Sequence, residues 1–377
     1  MALRYFPNTE HSSRPLLTPD EAYEDFIATL GTIIDRYPPS REDRNRHKLC
    51  GFYYGPTSVS LLFFALSKTF PHLLLHDNLL TYWATKYFEL SDLRRQREPD
   101  WEHCGLADEH LCSLALRAVF TKRQDDAQRL CRFIPILTHP QSPPRSYEWL
   151  YGLSGLLYLL RFCQTNLAEP PSCLQESIEQ VSNCILDNSD KWAWHEKPYY
   201  GAVHGDIGII TQLVLSNVSS PDLNKQLSDR LSTLLRSQLA SGNFPTYPTS
   251  SRDLLVQFCH GVPGVLVSFH SIRSGFPNLR SEISDAIERG ERCVVERGLL
   301  RKTPCLCHGV YGNALAMKQE DMMKMLRVVY ARNIEWAESN ENEDERFGLF
   351  TGLAGRAWAM AMAATGKHGI ILGYNDV

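Results

Sequence analysis

The stretch FCHGVPGVLVSF, residues 258–269, places a glycine two positions after a cysteine, a second glycine three positions later, and then an apolar run. The pattern of glycine, two residues, a small residue and an apolar run returns six more times. It occurs at YGPTSVSLLFFAL (Gly55), CGLADEHLCSLAL (Gly105), YGLSGLLYLL (Gly152), HGDIGIITQLV (Gly205), HGVYGNALAM (Gly309) and TGLAGRAWAM (Gly352). Successive first glycines lie 43 to 56 residues apart, the period of a solenoid or closed array rather than of two or three unrelated domains.

Between these turns lie longer segments: Asp20–Tyr37, His76–Arg95, Gln124–Leu137, Cys173–Asp187, Asp222–Ala240, Asn278–Arg297 and Asp321–Glu338. Their apolar residues recur three or four apart, as Leu223, Leu227, Leu231, Leu234, Leu235 and Leu239 do in the fifth, which predicts helices with one buried face. The segments after the turns are short and apolar all round, which predicts helices buried on every side. Each repeat then reads as long helix, loop, G-x-x-G turn, short helix, giving an all-α fold of seven hairpins and about fourteen helices in two concentric layers. The last repeat, LFTGLAGRAWAMAMAA, carries no polar capping face. A ring in which it packs on the first repeat buries that surface, and the turns then converge on one end. The array reads as one domain over residues 1–377, with 1–18 as an extended N-terminal segment.

Composition narrows the partners. Of 377 residues, 43% are hydrophobic and 22% charged, and 39 Lys and Arg stand against 43 Asp and Glu for a formal charge of −4. Without a basic run, nucleic acid is not an expected partner. The longest apolar run, Val59–Leu66, is far short of the roughly 20 residues a membrane span needs. The N-terminal residues MALRYFPNTEHSSR have no secretory apolar core, which points to a cytoplasmic protein. Eleven cysteines are too few for a disulfide scaffold of this length, leaving core residues, metal ligands or reactive thiols.

The turn ends concentrate chemistry. Cys259-His260-Gly261 and Cys307-His308-Gly309 repeat one motif in register, and His204-Gly205 extends it. Thiolate and imidazole from neighbouring loops are donors that zinc takes, and three protein donors with an open fourth position is a catalytic arrangement.

The segments WHEKPYYGAVHGDIGI, RDLLVQFCHGVPGV and CLCHGVYGNA resemble the signature segments of the lanthionine synthetase C-like (LanC-like) family. With the opening RYFPN and RDLLV before the first Cys-His-Gly, the likeness is to the eukaryotic, glutathione-binding members rather than to bacterial lantibiotic cyclases. The resemblance implies an α/α toroid of seven hairpins and one zinc ion held by Cys259, Cys307 and His308. It implies His204 as acid/base, Glu148 in SYEWLYGLSG as the catalytic acidic residue, and Lys302 and Arg4 beside the thiol substrate. His260 is expected to support the site or the core, and Cys305, Cys104, Cys163 and Cys184 to be core residues. Two turns, GPTS and GLAD, lack the second glycine, and no insertion for holding a leader peptide or C-terminal helper domain is evident, which separates the chain from dedicated cyclases.

Zinc with two thiolates and an imidazole favours a substrate thiol as its thiolate. The implied function is addition of glutathione or another thiol to dehydroalanine or dehydrobutyrine residues in peptides or proteins, with His204 handling the α-carbon proton. Elimination of phosphate from phosphoserine or phosphothreonine, aided by Lys302 and Arg4, would supply such acceptors. The rival readings are a zinc- and glutathione-binding adaptor or signalling protein, a thiol-adding cyclase or conjugating enzyme of a peptide or natural-product pathway, and a helical scaffold. An adaptor needs the ligands and Lys302, but neither His204 nor Glu148.

Overall fold

The computed structural model describes residues 4–8, 13–40, 47–91, 98–141, 146–218, 221–331 and 342–377. Residues 1–3 and 9–12 of the N-terminal segment, 92–95 and 332–338 of two expected helices, and the Leu223 side chain lie outside that description.

The chain begins with α1 (Pro19–Arg36), α2 (Pro56–Thr69), the short strands β1 (Leu74–Leu75) and β2 (Asn78–Leu79), α3 (Leu80–Phe88) and α4 (Glu109–Thr121). It continues through α5 (Gln124–Cys131), α6 (Ile134–Leu137), α7 (Leu153–Asn166), α8 (Ser172–Asp187), α9 (Asp206–Leu215) and α10 (Pro221–Arg236). The last part holds α11 (Val262–Ile272), α12 (Arg280–Arg297), α13 (Val310–Leu315), α14 (Gln319–Ala331), α15 (Glu343–Phe347) and α16 (Leu353–Ala364). Apart from the four-residue β1–β2 hairpin, the regular structure among the described residues is helical.

The short apolar helices form the inner layer. They contact one another in the order α2, α4, α7, α9, α11, α13, α16 and back to α2, so the ring is closed. Residues Leu153 to Cys163 of α7 are all buried, as expected for a helix with neighbours on every side. The outer helices bury one stripe: in α1 these are Ala22, Asp25, Phe26, Thr29, Leu30, Ile33 and Ile34. The start of α1 is fixed locally, since the Thr18 hydroxyl accepts from the Glu21 N–H, the Glu21 carboxylate accepts from Thr18, and Pro19 takes the first helical position. The third outer segment breaks into α5 and α6. Pro135 lacks the N–H that a continuous helix would direct at residue 131.

Sequence order pairs each long helix with the short one after it, but the packing pairs it with the one before. α2 packs on α3, α4 on α5, α7 on α8, α9 on α10, α11 on α12 and α13 on α14. The reason is connection length: only Lys122 and Arg123 separate α4 from α5, and short links make antiparallel neighbours. The offset leaves α1 to cover α16, and the seam carries the Asp25–Arg356 ion pair, with Arg356 Nε donating to Asp25 Oδ2 at 2.9 Å.

The hole of the ring is filled. Residues 371–377 tuck among the inner helices, where the Tyr374 ring sits 5.5 Å from Trp149 and 5.2 Å from Phe258. Trp149 Nε1 donates to the Gly373 carbonyl at 3.2 Å, Gln212 Nε2 to the Tyr374 carbonyl at 2.9 Å, and Ser268 shares a 2.6 Å hydrogen bond with the Tyr374 hydroxyl. The fully buried Arg161 guanidinium meets the Gln212 side chain and carbonyl and Ser216. No sequence pattern announced this plug.

Candidate active site

The loops that precede the inner helices are stitched to one another around one end of the ring. Phe52 N–H donates to Leu106 O, Leu106 to Trp149, Trp149 to Val203, Cys259 to Cys307, Cys307 to Phe350 and Phe350 to Tyr53, all between 2.9 and 3.3 Å. Between the fourth and fifth loops the backbones meet closely: a Cβ on Gly201 would lie 2.2 Å from the Cys259 carbonyl oxygen. The second glycine of the turn has a similar cause, since a Cβ at Gly264 would lie 2.1 Å from the Phe258 carbonyl oxygen. In the second repeat the position before the helix is held by Asp108, whose side chain accepts from the Leu111 N–H. Gly105 lies three residues upstream and its carbonyl accepts from the Asp108 N–H at 3.0 Å, so the expected GLAD turn forms, with Asp108 in the cap position that glycine holds in the other repeats.

This stitching brings Cys259 and Cys307 side by side. They are 7% and 4% exposed and unbridged by a disulfide. Gln257 Nε2 donates to Cys259 Sγ at 3.0 Å and the Tyr53 hydroxyl to Cys307 Sγ at 3.1 Å. The Cys307 thiol, with help from Gln257 and Lys302, holds Cys259 below the usual thiol range, while Cys307 is pushed up by Cys259 and by burial. One proton shared between two sulfurs explains the opposite directions. Lys302 is exposed, and its Nζ donates to Gln257 Oε1 at 3.0 Å. His308 is half-buried; burial first, then Lys302, lowers its imidazole from the usual range. Among the described residues no three His, Cys, Asp or Glu side chains are gathered at metal-ligand spacing. Two of the three expected ligands thus meet, with the third adjacent in sequence.

On the same end, His204 Nδ1 lies 2.8 Å from Glu148 Oε2. An ionised carboxylate only accepts, so Nδ1 carries the hydrogen and Nε2 is the free ring nitrogen. Glu148 is 2% exposed and also accepts from the Leu150 and Tyr151 amides and the Ser146 hydroxyl. It therefore holds His204 rather than facing a substrate. His260, whose ring centroid is 5.8 Å from that of His204, is pushed down to about 4 by burial, then by His204 and Lys302. It stays neutral at neutral pH.

Arg4 is exposed, and its backbone carbonyl accepts from Arg301 N–H at 2.9 Å, beside a Tyr5–Leu300 bridge and the Phe6 N–H to Leu299 O bond. The extended N-terminal segment thus runs alongside the chain leading to Lys302. Cys305, Cys104 and Cys163 are fully buried and Cys184 nearly so. Burial pushes the Cys305 thiol up to about 12.

Sequence reasoning missed Tyr53 and Gln257, which donate to the two sulfurs, and Tyr151 and Trp194, which flank His204. The Trp194 ring lies 3.9 Å from His204 with 8° between the planes, and Tyr151 lies 6.2 Å from it at 11°. Burial, followed by Cys50, Glu148 and Cys307, pushes the Tyr151 phenol up to about 12. Gln257 and Trp194 do lie in the quoted segments, but no spacing rule singles them out.

A family model described as "Lanthionine synthetase C-like protein" matches residues 110–368. "Glutathione S-transferase LANCL1" of Danio rerio is 29% identical over 240 residues, covering 57% of this chain and 58% of that protein. "LanC-like protein GCL1" of Arabidopsis thaliana is 29% identical over 233 residues, covering 56% of this chain and 53% of its own length. The chain thus spans a little over half the length of the curated relatives it matches. The solved structure of "Nisin cyclase" shares the fold, with a TM-score of 0.67 over 92% of this chain and 96% of that one at 15% identity. No helix among the described residues is long and apolar enough to cross a membrane. The matched residues cover more than half of the chain and include Glu148, His204, Cys259, Cys307 and His308; this chain belongs to the lanthionine synthetase C-like protein family.

Proposed function

We propose that this protein is a zinc-dependent enzyme that joins a thiol, glutathione above all, to dehydroalanine or dehydrobutyrine residues of peptides or proteins. Cys259, Cys307 and His308 would hold one zinc ion per chain. The donor chemistry fits: two buried cysteines from neighbouring loops lie side by side, Cys259 N–H donating to Cys307 O at 3.0 Å, and an imidazole follows one of them. Bound there, zinc would supply the charge that keeps a substrate sulfur as thiolate at neutral pH.

The observation that carries the catalytic reading is the His204–Glu148 hydrogen bond. A protein that merely binds thiol has no use for an imidazole whose Nδ1–H is fixed on an enclosed carboxylate and whose Nε2 is left free. In the addition, the thiolate sulfur bonds to the acceptor β-carbon and the double-bond electrons pass to the α-carbon and its carbonyl. His204 Nε2, having taken up the proton that the thiol loses, delivers it to the α-carbon, so the proton is conserved through the step. Glu148 keeps the ring oriented through the transfer, as a carboxylate does in other acid/base pairs.

Lys302 and Arg4, exposed beside this end, suit the carboxylates of glutathione. The name of the Danio rerio relative, a glutathione S-transferase, supports the choice of thiol. The same two cations would assist loss of phosphate from a phosphoserine or phosphothreonine acceptor precursor.

The test is to incubate the full chain, with its zinc content measured, with glutathione and a dehydroalanine peptide and to follow the products by mass spectrometry. The expected product is the glutathione thioether, formed faster than without protein. A zinc-loaded protein that gives no acceleration would leave the adaptor reading in its place.

A further inference from the structure

Beyond the His204 ring the turn end opens into a cleft of about 780 Å³ whose lining includes Glu102, His103, Tyr147, Tyr151, Lys191 and Trp194. None of the expected ligands or thiol-binding residues lines it. One wall is a tight hairpin. Trp194 and Lys197 exchange backbone hydrogen bonds of 3.0 and 3.1 Å around His195 and Glu196, which take φ values of 48° and 61°. Left-handed backbone at two consecutive non-glycine residues is costly, and it holds Trp194 where its ring lies flat on His204 at 3.9 Å. Tyr151 runs nearly parallel to Trp194, with 5° between planes and 6.4 Å between centroids. The acid/base ring is thus packed against two near-parallel rings, Trp194 and Tyr151, that line the cleft.

The charges of the cleft argue about what enters it. The lining holds one lysine, Lys191, with two glutamates, Glu102 and Glu196, and two histidines, His103 and His195; the Lys191 ammonium donates to Asn188 Oδ1 at 3.1 Å and His103 Nδ1 lies 3.3 Å from Asp100 Oδ1. The lining therefore offers a phosphate no cationic cluster, in contrast to the Lys302 and Arg4 side of the site. What it does offer is three aromatic rings, Tyr147, Tyr151 and Trp194.

Building on the acceptor chemistry proposed above, we propose that this cleft binds the polypeptide stretch flanking the acceptor residue. A large apolar side chain of that stretch lies against Tyr147, Tyr151 and Trp194. Trp194 is at the same time the positioning residue for His204, holding its ring plane by stacking while Glu148 holds its Nδ1.

The experiment uses the full, zinc-analysed chain with three acceptors: a dehydroalanine amide without flanking residues, a dehydroalanine peptide with Leu beside the acceptor, and its Gly counterpart. Burying one Leu side chain predicts a KM roughly tenfold lower for the Leu peptide than for the Gly peptide. Tyr147→Ala raises the Leu-peptide KM to the Gly level. Trp194→Ala lowers kcat on every acceptor, the bare amide included, and Trp194→Phe, which keeps a stacking ring, restores most of it. Equal KM for the two peptides overturns the cleft assignment, as does tighter binding of a peptide with phosphoserine in place of Leu. Full kcat for folded Trp194→Ala on the bare amide overturns the positioning role. Should the wild type turn over no acceptor, the reaction reading fails separately. The cleft is then judged by calorimetric titration of the same peptides with Ala in place of dehydroalanine, where a Leu preference lost in Trp194→Ala or Tyr147→Ala upholds it and no preference refutes it.

Discussion

Glu148→Gln removes a charge and one acceptor oxygen from a side chain that is 2% exposed. In the wild type, Oε2 accepts from His204 Nδ1 and the Leu150 amide, and Oε1 from the Tyr151 amide and Ser146. A glutamine amide has only one oxygen. If its NH₂ occupies the Oε1 place it meets the Tyr151 N–H, donor against donor, at a cost of about 1–3 kcal/mol for a buried unsatisfied group. If it occupies the Oε2 place it faces Nδ1, and the imidazole must move its hydrogen to Nε2, the atom that has to exchange a proton with the substrate. Either way two properties change together. Unfolding entropy of about 2.1 cal/mol/K per residue gives roughly 0.8 kcal/mol/K for 377 residues, so the melting temperature falls by ~1–4 °C. Turnover falls by roughly 10²–10⁴, the contribution of a positioned acid or base. The assay is thioether formation by mass spectrometry beside a thermal melt, for Glu148→Gln, His204→Asn and the double variant. Residues that act as a unit give a double variant no slower than the worse single one. If the two rate losses multiply, Glu148 acts independently of His204 and the orienting role is wrong.

Four further outcomes are expected. Cys259→Ala loses zinc on dialysis whereas Cys305→Ala keeps it, read by elemental analysis; equal loss would show the wrong sulfur was chosen. Lys302→Ala raises KM for glutathione by roughly tenfold, the worth of one charge-assisted hydrogen bond, with a smaller change for 2-mercaptoethanol. Asp25→Ala strands Arg356 at the α1–α16 seam, where the two side chains are 8% and 18% exposed, and costs about 3 kcal/mol in a urea titration, the low end for a buried pair. Burial works against ionising Asp344, but hydrogen bonds from His47, Tyr37 and the Lys48 amide outweigh it and hold the carboxyl below its usual range. Its folded pKa being depressed, the stability it contributes is complete above the unfolded value of about 3.9 and is lost as pH falls through the folded value. Asp344→Asn should flatten that acid limb of the stability curve.

Much of the ring was legible because its cause is local. An all-round apolar helix and a one-sided helix differ in period, and the second glycine of each turn is where the preceding loop crosses the helix start, so both leave a mark in sequence. The second repeat shows the limit: the Gly105–Asp108 turn forms, but it is Asp108, not a glycine, that caps α4. Closure was readable from the apolar last repeat, but not which helix would cover α16, since that follows from relative loop lengths. The C-terminal plug and Trp194 were invisible for another reason. Tyr374 and Trp194 are single residues whose partners, Phe258, Trp149 and His204, are remote or non-periodic in sequence, and only the assembled ring brings them together.

The arrangement of charge at the turn end has a common logic. Every inner helix begins immediately after a stitched loop, so the inner N-termini all face this end, each favouring a nearby anion by about 0.3–1 kcal/mol. Cys259 and Cys307 each sit two residues before such a terminus, at Gly261 before α11 and Gly309 before α13. For sulfurs proposed to act as thiolates, and for the enolate of the proposed addition, that placement is favourable without any further charge. His204 stands directly before Gly205, the cap of α9, where the same helix end opposes a positive ring. The proton-donor role proposed for a ring at that position needs a compensating anion, and the chain supplies Glu148 against Nδ1. A carboxylate that is 2% exposed thus lies beside the group proposed to carry positive charge, while the groups proposed to carry negative charge are left to the helix ends.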